Sequence, residues 1–585
     1  MPETRTQRLL ANFRHSLAYI DALPQLTLLG LIIGLFTGVI IVIFRLLIDL
    51  PLSYFLDTRP DNFEAMPTDM IWLLIMGGTI PIAILLHFAG KKRSQTGVSH
   101  VIDRLHNYQG QLPTSNWMVQ FFGAALCMLS GQSVGREGPA VHLGAGVASK
   151  LGKWLNLPNN SLLTLIACGV AAGISASFDT PMAGVIFAME VVVLEYTVVG
   201  FVPVILASVM GTMVSQLVFG EASNFKIGPV DMGSLLELPY MIVMGLAISV
   251  CAAAYIKLNL GAMRLSKYPV ALRVIVAGLL TATIASGVPE VMGLGYDTVN
   301  AIIVGEVLLF SLLIIGVAKL FLTPVVIGLG MPGGVIGPLL VVGACLGGVL
   351  GTFFDAVFPN LGASPGFYVV LGMAGMMAAT LNAPLAALVA VLELSYNPNM
   401  IFPAMLVIVV SCLSTRQLFS LDSIFTEQLR LTNRLPEEGP ANSALRRAGV
   451  GSILDKKVKP CAQIHDYEQA KLLLQDKPRW IIIENEDKKF ALQAADLAKY
   501  LEEAPVEVLS LEKDIDLMDI PGRRHRLHPI HETATLYEAL KAMRAKDTDM
   551  LYVARHRSPL ISDVFGLVRL IDIENFYQPK EFRKA

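Results

Sequence analysis

The run Gly135-Arg136-Glu137-Gly138-Pro139 interrupts a long apolar stretch of the chain. A carboxylate and a guanidinium are costly at membrane depth, so Glu137 predicts a functional site there. The glycines and Pro139 end one apolar helix and start another. A helix that starts inside a membrane points unpaired N–H groups and the positive end of its dipole at whatever lies in front of it. The run therefore predicts an anion pathway in which Glu137 competes with the anion for one position.

The composition divides the chain into a membrane part and a soluble part. Hydrophobic residues make up 54% of the 585 residues and charged residues only 16%. Charges are sparse between Pro24 and Ser420 and dense afterwards. A membrane-spanning helix needs about 20 apolar residues, and the runs Leu26–Leu50 and Met241–Ile256 approach or exceed that length. These features predict an α-helical polytopic protein of the lipid bilayer, followed by a soluble domain.

Basic residues predict the orientation of the membrane part. Arg5, Arg8 and Arg14 precede the first apolar run, and Lys91–Arg93 and the C-terminal part are also charged. By the positive-inside rule, these segments lie in the cytoplasm. We therefore expect a cytoplasmic N-terminal segment over residues 1–23, a cytoplasmic C-terminus, an even number of crossings and residence in the plasma (inner) membrane.

Other classes of function lack their sequence patterns. The chain contains no nucleophile–base pair, metal-ligand spacing or P-loop, so we expect no enzyme, no metal site and no required cofactor. A net charge of −2 without a basic stripe argues against a nucleic-acid partner. The six cysteines show no CxxC or CxxH spacing, and we expect them to be small core residues.

The membrane part contains an internal repeat. One set of residues recurs at a constant offset: Gly169, Pro181, Ala183 and Glu190 correspond to Gly372, Pro384, Ala386 and Glu393. A second set lies earlier in each half: Pro139, Gly144 and Gly152 correspond to Pro338, Gly343 and Gly351. Repeated halves with broken helices at corresponding places are typical of transporters whose binding site lies between the repeats. We expect the halves to cover about residues 24–225 and 235–430.

Glycine-rich breaks start three helices in the membrane part: Gly135–Pro139, Gly333–Pro338 and Thr96–Ser99. Glycine lets the backbone approach a ligand closely, so that N–H groups coordinate it. The alternative is that the glycines only permit tight helix crossings. Because two of the three breaks are related by the repeat, we favour an ion site.

Over about residues 24–435, these motifs resemble those of the CLC family of chloride channels and chloride/proton antiporters. The GREGP run at Gly135–Pro139 is the specific match, and Gly334–Pro338 and Gln95–Ser99 resemble the family's GxFxP and GSGIP elements in altered form. The resemblance implies the CLC fold of two repeated halves with broken helices. It also implies a homodimer with one pore in each subunit, which passes chloride and other small inorganic anions.

The resemblance also implies the residues of the anion site. Glu137 matches the family's gating glutamate, which competes with the anion and takes up a proton. The anion would meet the N–H groups of Val335 and Ile336. It would also meet the N–H groups that follow Arg136, including that of Gly138.

Two positions of the anion site depart from the family. The central serine falls on Thr96, beside Gly97, so that a hydroxyl donor survives with an added methyl group. The central tyrosine falls on Leu421 if the following Asp-Ser-Ile is matched, and on Phe425 if an aromatic ring is kept. Either choice removes the phenol donor, which would weaken central anion binding by about 1–3 kcal/mol in a dry site.

The proton pathway departs from the family as well. Antiporters of the family carry an inner glutamate directly after the residue that corresponds to Glu190, but here Val191 follows. Glu190, Glu195 or a chain of water molecules could replace that glutamate. We therefore expect chloride passage that is weakly coupled or uncoupled to protons. A stoichiometric chloride/proton antiporter is the alternative.

Several other polar residues of the membrane part have structural interpretations. Glu190 and Glu393, at repeat-related helix ends, are more often structural than functional. His142 is expected to be a satisfied core histidine and not a proton relay. His100 and His106 are expected to face the cytoplasmic vestibule or the lipid headgroups.

The C-terminal part is predicted to be a soluble α/β domain over residues 446–585, after a linker at residues 436–445. It contains two similar units, in which Tyr467-Glu468 and Trp480–Ile483 correspond to Tyr537-Glu538 and Met550–Val553. The pattern resembles a tandem CBS pair, which implies an adenine nucleotide in the cleft between the units. Asp572 fits the ribose position, whereas Arg569 stands where a hydroxyl is expected. The alternative function, of another class, is a membrane-anchored nucleotide sensor with a decayed pore.

Overall fold

The computed structural model describes residues 17, 22–56, 62–194, 198–220, 225, 227, 232–358, 363–435, 440–485, 488–503, 514–558 and 561–577. The chain divides into two compact units. The membrane unit comprises Leu23–Leu155 and Leu162–Pro436, and the C-terminal unit comprises Glu437–Ala585 with Met1–Ala22 and Asn156–Ser161. The division after Pro436 lies at the start of the linker predicted from the sequence.

The described residues of the first half of the membrane unit form eight helices. They are α1 (Leu23–Phe55), α2 (Thr68–Arg93), α3 (Gly97–Asn107), α4 (Thr114–Leu129), α5 (Glu137–Trp154), α6 (Asn159–Phe178), α7 (Pro181–Phe187) and α8 (Val198–Phe219). A π-helical turn at Ala188–Val193 extends α7.

The second half repeats this series, so that each helix of the first half has a counterpart eight helices later. The counterparts are α9 (Leu238–Met263), α10 (Val270–Ala285), α11 (Tyr296–Val304), α12 (Leu309–Gly328), α13 (Ile336–Val357), α14 (Pro365–Leu381), α15 (Pro384–Ser395) and α16 (Ile401–Phe419), and α17 (Ile424–Leu431) follows them. Within the described residues, eight helical segments are long and apolar enough to cross a membrane. The predicted polytopic α-helical fold of two repeated halves is confirmed.

Backbone groups at corresponding positions of the two halves pair with each other. The Gly135 N–H donates to the Gly334 carbonyl over 2.7 Å, and the Gly334 N–H donates to the Gly135 carbonyl over 2.6 Å. The two segments run antiparallel, so a local two-fold axis relates the residues that precede α5 and α13. The N-termini of these two broken helices therefore lie side by side.

The ends of α7 and α15 are joined in the same reciprocal way. Both carboxylate oxygens of Glu190 accept backbone N–H groups from the first turn of α15, at 3.2 and 2.7 Å. Both carboxylate oxygens of Glu393 accept N–H groups from the first turn of α7, each at 2.7 Å. α7 and α15 each begin with a proline at the first helical position, where the missing N–H would have had no intrahelical partner. The two glutamates thus satisfy the remaining N–H groups of helices that start inside the protein.

Some of the repeated glycines serve helix packing. Gly144 of α5 faces Gly169 of α6, and Gly343 of α13 faces Gly372 of α14. A Cβ atom on any of the four would overlap the backbone of the facing helix. At these four positions glycine therefore permits a tight helix crossing.

The C-terminal unit is an α/β fold with a mixed sheet, as predicted. Its strands are β1 (Val458–Ala462), β2 (Ile464–His465), β3 (Trp480–Asn485), β4 (Lys488–Gln493), β5 (Ile515–Asp516), β6 (His525–His531), β7 (Met550–Ser558) and β8 (Ile561–Arg569). Its helices are α18 (Pro440–Arg446), α19 (Tyr467–Gln475), α20 (Ala494–Glu503), α21 (Leu536–Lys546) and α22 (Leu570–Tyr577).

Six of these strands form one sheet in the order β1-β3-β4-β6-β7-β8. The pairs β1–β3 and β6–β7 are parallel, and β3–β4 and β7–β8 are antiparallel. The order β1-α19-β3-β4-α20 is therefore repeated as β6-α21-β7-β8-α22. This repeat matches the two similar units in the sequence, and the tandem CBS assignment stays a prediction.

Candidate anion site

The Glu137 carboxylate lies where the starts of α5 and α13 meet. Its side chain is fully buried. Three glycines, Gly135, Gly334 and Gly337, surround it. A Cβ atom added to Gly334 would lie 2.6 Å from a Glu137 carboxylate oxygen, and one added to Gly337 would lie 2.8 Å from such an oxygen. A Cβ atom added to Gly135 would overlap the carboxylate. Residues with a side chain at these positions would leave no room for the carboxylate.

The first turn of α13 directs backbone N–H groups at Glu137. The N–H groups of Ile336 and Gly337 face the carboxylate, and the positive end of the helix dipole favours negative charge there. No group within the described residues meets full hydrogen-bond geometry with either Glu137 oxygen. The carboxylate therefore occupies a position that suits a small anion, and it is held there by weak, replaceable contacts.

Arg136 adds positive charge beside Glu137. Its guanidinium is buried and lies 5.3 Å from the centre of the Phe178 ring and 5.4 Å from that of Tyr296. Cation–π contacts of this kind hold a guanidinium in place. Arg45 of α1 lies close enough to interact electrostatically with Arg136, and it donates to the Ser215 hydroxyl over 3.0 Å. Both guanidinium groups raise the local potential in favour of an anion.

A cavity of about 860 Å³ leads to the site. Four basic residues line it: Lys91, Lys267, Arg273 and Arg434. We call it the basic cavity. Asp103 supplies the carboxylate among its described lining residues, and this group pairs with Arg434 at 3.4 Å. The excess of positive charge attracts anions to the cavity.

Six of the site residues predicted from the sequence line the basic cavity: Thr96, Gly97, Gly138, Val335, Ile336 and Phe425. Leu421 is buried and is not among the described residues that line it. Of the two positions left open for the central tyrosine, Phe425 on α17 is thus the one that lines the cavity.

The Gly97 N–H was predicted to coordinate the anion, as one of the N–H groups at the glycine-rich breaks, but it has another partner. It donates to the Gln120 side-chain oxygen over 2.7 Å, so it joins α3 to α4 and does not face the site as a free donor. The positive φ of 83° at Gly97 explains why glycine stands there. Thr96 precedes α3 and makes no side-chain capping hydrogen bond, so its hydroxyl stays available to a ligand in the cavity.

Sequence reasoning missed Tyr255 on α9. This side chain is fully buried, and its hydroxyl donates to the Val335 carbonyl over 3.3 Å. The hydroxyl also lies close enough to Glu137 to interact with it electrostatically. The signal in the sequence was a single phenol inside the apolar run Met241–Ile256, which carries no motif. Tyr255 braces the residue that precedes α13.

The position of the family's inner glutamate carries no carboxylate here. Val191 is buried in the π-helical turn after α7. Glu190, suggested as a substitute, has both oxygens bound to the first turn of α15, which makes it a helix cap and not a free proton acceptor. Glu195, the other suggested substitute, lies outside the described residues.

Two histidines of the membrane unit form a pair that the sequence did not predict. His100 Nδ1 on α3 and His142 Nε2 on α5 are 3.0 Å apart. The expectation of a satisfied core histidine is wrong for His142, because its Nδ1 is buried without a hydrogen-bond partner among the described residues. His100 lines the basic cavity, and His106 contacts the Val192 carbonyl at 3.2 Å.

In the C-terminal unit, the two residues predicted to meet a nucleotide bind each other. Arg569 Nε and Nη2 donate to the two carboxylate oxygens of Asp572 at 2.7 and 2.6 Å. A cavity of about 730 Å³ lies elsewhere in this unit, with Arg523, Arg544 and Asp549 in its wall. Neither Arg569 nor Asp572 is among the described residues that line that cavity. The ion pair therefore competes with the ribose contact expected of Asp572.

Two repeated halves whose broken helices meet at a buried glutamate, beside a basic cavity, define a membrane transporter of small anions. The family model described as voltage gated chloride channel matches residues 76–416, more than half of the chain. The chain belongs to this family, and the CLC fold expected from the sequence is confirmed.

Curated relatives and solved structures agree with this assignment. A ClcB-like protein of Ralstonia nicotianae is 29% identical over 350 residues, which cover 59% of this chain and 82% of that protein. The H⁺/Cl⁻ exchange transporter ClcA of Vibrio cholerae is 27% identical over 342 residues, which cover 54% of this chain and 70% of that protein. A slow cyanobacterial Cl⁻/H⁺ antiporter shares the fold, with a TM-score of 0.60, 20% identity and coverage of 70% of this chain and 97% of that one.

Proposed function

We propose that this chain exchanges chloride for protons, with Glu137 as the group that binds the proton and competes with the anion. The observation that carries the proposal is the position of the Glu137 carboxylate. It is fully buried and faces N–H groups at the start of α13 that suit an anion. The exchange activity in the name of the Vibrio cholerae relative supports the same choice.

The exchange follows from competition for one position. Ionised Glu137 holds the start of α13 and excludes the anion by like charge. An anion that arrives from the basic cavity displaces the side chain, and the displaced carboxylate beside that anion is favoured in its protonated form. Protonated Glu137 no longer competes, so the anion passes. Release of the proton to the opposite side then completes an exchange. The two movements are coupled because the anion and the proton both shift the equilibrium of the Glu137 side chain between its bound and displaced positions.

Passive chloride conduction is the second candidate, and Val191 favours it. A buried valine replaces the inner carboxylate of the family's antiporters, which removes one place for a proton to bind on the way to Glu137. A decayed pore is disfavoured, because a fully buried carboxylate among three glycines is costly without a function.

The experiment is proton movement in liposomes that contain the purified full-length protein under an outward chloride gradient. Exchange predicts uphill proton entry in the parent and no proton entry in Glu137→Gln. Glu306→Gln is the matched control, since Glu306 is exposed, and it should behave as the parent does. Chloride efflux from the parent without proton movement would establish passive conduction and leave Glu137 as a gate alone.

The assembly that we propose is a homodimer in the plasma membrane with cytoplasmic termini. Large apolar side chains are exposed at repeat-related positions of α8 and α16: Val202, Ile205, Val209 and Met213, and Phe402, Met405, Val409 and Leu413. Spacings of three and four residues place each set on one helix face. The family resemblance supports a second copy as the cover of these faces. Native mass spectrometry in mild detergent tests the proposal, and a monomer mass contradicts it.

A further inference from the structure

A buried hydrogen bond joins two histidines from different helices of the membrane unit. His100 Nδ1 and His142 Nε2 are 3.0 Å apart, and the two rings are nearly perpendicular at 85°. The side chains are only 6% and 0% exposed. His142 Nδ1 has no hydrogen-bond partner in the part of the chain that the structure describes. Buried polar atoms are nearly always paired, so this atom indicates a water molecule or a proton acceptor that binds there in the working protein.

The pair connects the basic cavity with the helix that carries Glu137. His100 lines the cavity, at the start of α3. His142 lies on α5, about 7.5 Å from Glu137 along the helix axis at 1.5 Å per residue. The two rings thus place titratable nitrogen atoms between cavity water and the helix that carries Glu137, and water molecules would complete the path to the carboxylate.

We propose that His100 and His142 relay protons between the basic cavity and Glu137. The proposal rests on the exchange function proposed above and names the inner half of its proton path. A proton from cavity water binds His100 Nε2, and the proton on His100 Nδ1 passes to His142 Nε2. His142 then releases the proton on its Nδ1, through water, to the Glu137 carboxylate. One proton enters and one leaves, so the pair ends neutral with a proton on Nε2 of each ring, and exchange of each Nε2 proton for one on Nδ1 through water molecules restores the starting tautomers.

A relay through packed rings gives the proton a route that chloride cannot use. An exchanger needs this separation, because a water-filled passage shared by both ions lets the anion leak. The anion has its own route past Thr96 and Val335, which line the basic cavity. Because Val191 lacks a carboxylate and Glu190 is bound to α15, the histidine pair takes the place of the missing inner acid.

The charged groups around the pair suit a transient proton. Arg104 on α3 and Arg434 after α17 both act electrostatically on His100, and His100 itself acts on His142. Asp103 on α3 pairs with Arg434 at 3.4 Å, and Glu190, on the π-helical turn that packs against α3, is bound to α15. The positive charges of the two arginines repel a proton on His100, so that a bound proton moves on.

The test measures protons moved per chloride in liposomes that contain the full-length protein. We compare the parent with His142→Gln and His100→Gln, because an amide keeps hydrogen-bonding capacity but does not relay protons at neutral pH. His106→Gln is the matched control, since it removes a histidine from the same helix outside the pair. We expect the ratio of protons to chloride to fall about tenfold or more in both pair variants, equivalent to about 1.4 kcal/mol. In His106→Gln, both the chloride flux and the ratio of protons to chloride should stay at the parent level.

The outcomes separate the relay from the exchange function. A parent that moves no protons contradicts the exchange function, and the relay falls with it. A parent that exchanges, with pair variants of unchanged ratio, leaves the exchange function standing and overturns the relay. If His142→Gln does not fold, His100→Gln decides the question, because His100 lies at the cavity wall. As a second readout, His100→Glu should restore the proton movement that His100→Gln loses, since a carboxylate in the cavity wall also binds and releases protons.

Discussion

Glu190 and Glu393 are related by the internal repeat, and each carboxylate caps the first turn of the helical segment that carries the other. The four N–H···O distances are 2.7 to 3.2 Å. Because the contacts are reciprocal, they join the two halves of the membrane unit, as the pairing of Gly135 with Gly334 does. The exchanged caps are therefore a structural link between the halves.

Removing either cap should destabilise the protein without changing its coupling. In Glu190→Gln or Glu393→Gln, the amide NH₂ faces a backbone N–H, and the charge that favours a helix N-terminus is lost. We expect a loss of about 1.5–3 kcal/mol, as for hydrogen bonds to charged groups. Thermal unfolding in detergent measures the loss, and Glu306→Gln, at an exposed position, should unfold as the parent does.

The same variants test whether Glu190 replaces the inner acid of the proton path. The ratio of protons to chloride should stay at the parent value in both variants. Loss of proton movement in Glu190→Gln alone, with chloride flux intact, would contradict the assignment of Glu190 as a cap. Equal loss in both variants would instead reflect damage to the link between the halves.

Restoring a phenol at position 425 should strengthen chloride binding. Phe425 lines the basic cavity together with Thr96 and Ile336, whereas Leu421 is not among the described residues that line it. Phe425→Tyr adds a hydroxyl donor at the wall of the anion path, which should improve affinity by about 1–3 kcal/mol. Leu421→Tyr is the matched control and should leave affinity unchanged. Isothermal titration with chloride measures both, and tighter binding in the control alone would move the central position to Leu421.

A side chain at Gly334 should separate the starts of the two broken helices. A Cβ atom there would lie 2.6 Å from the Gly138 nitrogen and 3.0 Å from the Gly135 carbonyl oxygen, both backbone atoms that cannot rotate away. We expect Gly334→Ala to lose chloride flux and at least about 1–3 kcal/mol of stability, the usual cost of overpacking. Gly77→Ala is the control and should retain both, since no described residue outside its own helical turn lies within 4 Å of the added carbon. Normal flux in Gly334→Ala would contradict the close pairing.

The sequence was sufficient to predict the repeat and the residues at the broken helix starts. Gly135–Pro139 and its counterpart stand out because glycine, proline and charge are rare in apolar segments. Constant offsets then relate the two halves. These signals are local or periodic, so they need no knowledge of which distant residues touch.

The remaining features depend on contacts between distant segments. His100 and His142 pair across two helices, and no pattern links them in the sequence. The hydrogen bond from the Gly97 N–H to the Gln120 side chain also joins distant segments, and it occupies an N–H that was predicted to bind the anion. Reciprocal capping by Glu190 and Glu393 requires the two-fold arrangement itself, and sequence offsets do not show whether repeated halves run parallel or antiparallel.

Acidification should increase chloride flux because it protonates Glu137. The ionised carboxylate competes with chloride at the start of α13, and protonation removes its charge, so lower pH frees the position. Flux should rise by up to about tenfold per pH unit, the limit for one titrating group. Stopped-flow chloride efflux from liposomes over a pH series measures the slope. The slope should vanish in Glu137→Gln, and a slope that persists there would assign the pH dependence to another group.

Nucleotide binding by the C-terminal unit should depend on breaking one ion pair. The hydrogen bonds that Arg569 donates to Asp572 raise the pKa of Arg569, so the arginine stays charged and the pair persists at any physiological pH. Both oxygens of Asp572 accept from it. The parent should therefore bind adenine nucleotides weakly, although Asp572 stands at the ribose position of the CBS pattern.

Replacing the arginine should release that carboxylate. Arg569→Ser supplies the hydroxyl that the CBS pattern places there and leaves Asp572 free to accept from a ribose hydroxyl. We expect about tenfold or tighter binding of ATP, ADP or AMP than in the parent, since a hydrogen bond to a charged group contributes about 1.5–3 kcal/mol. Isothermal titration of the full-length protein in detergent measures the change. Arg569→Ser combined with Asp572→Asn is the control and should lose the gain, whereas equal heats in all three proteins would remove the nucleotide site.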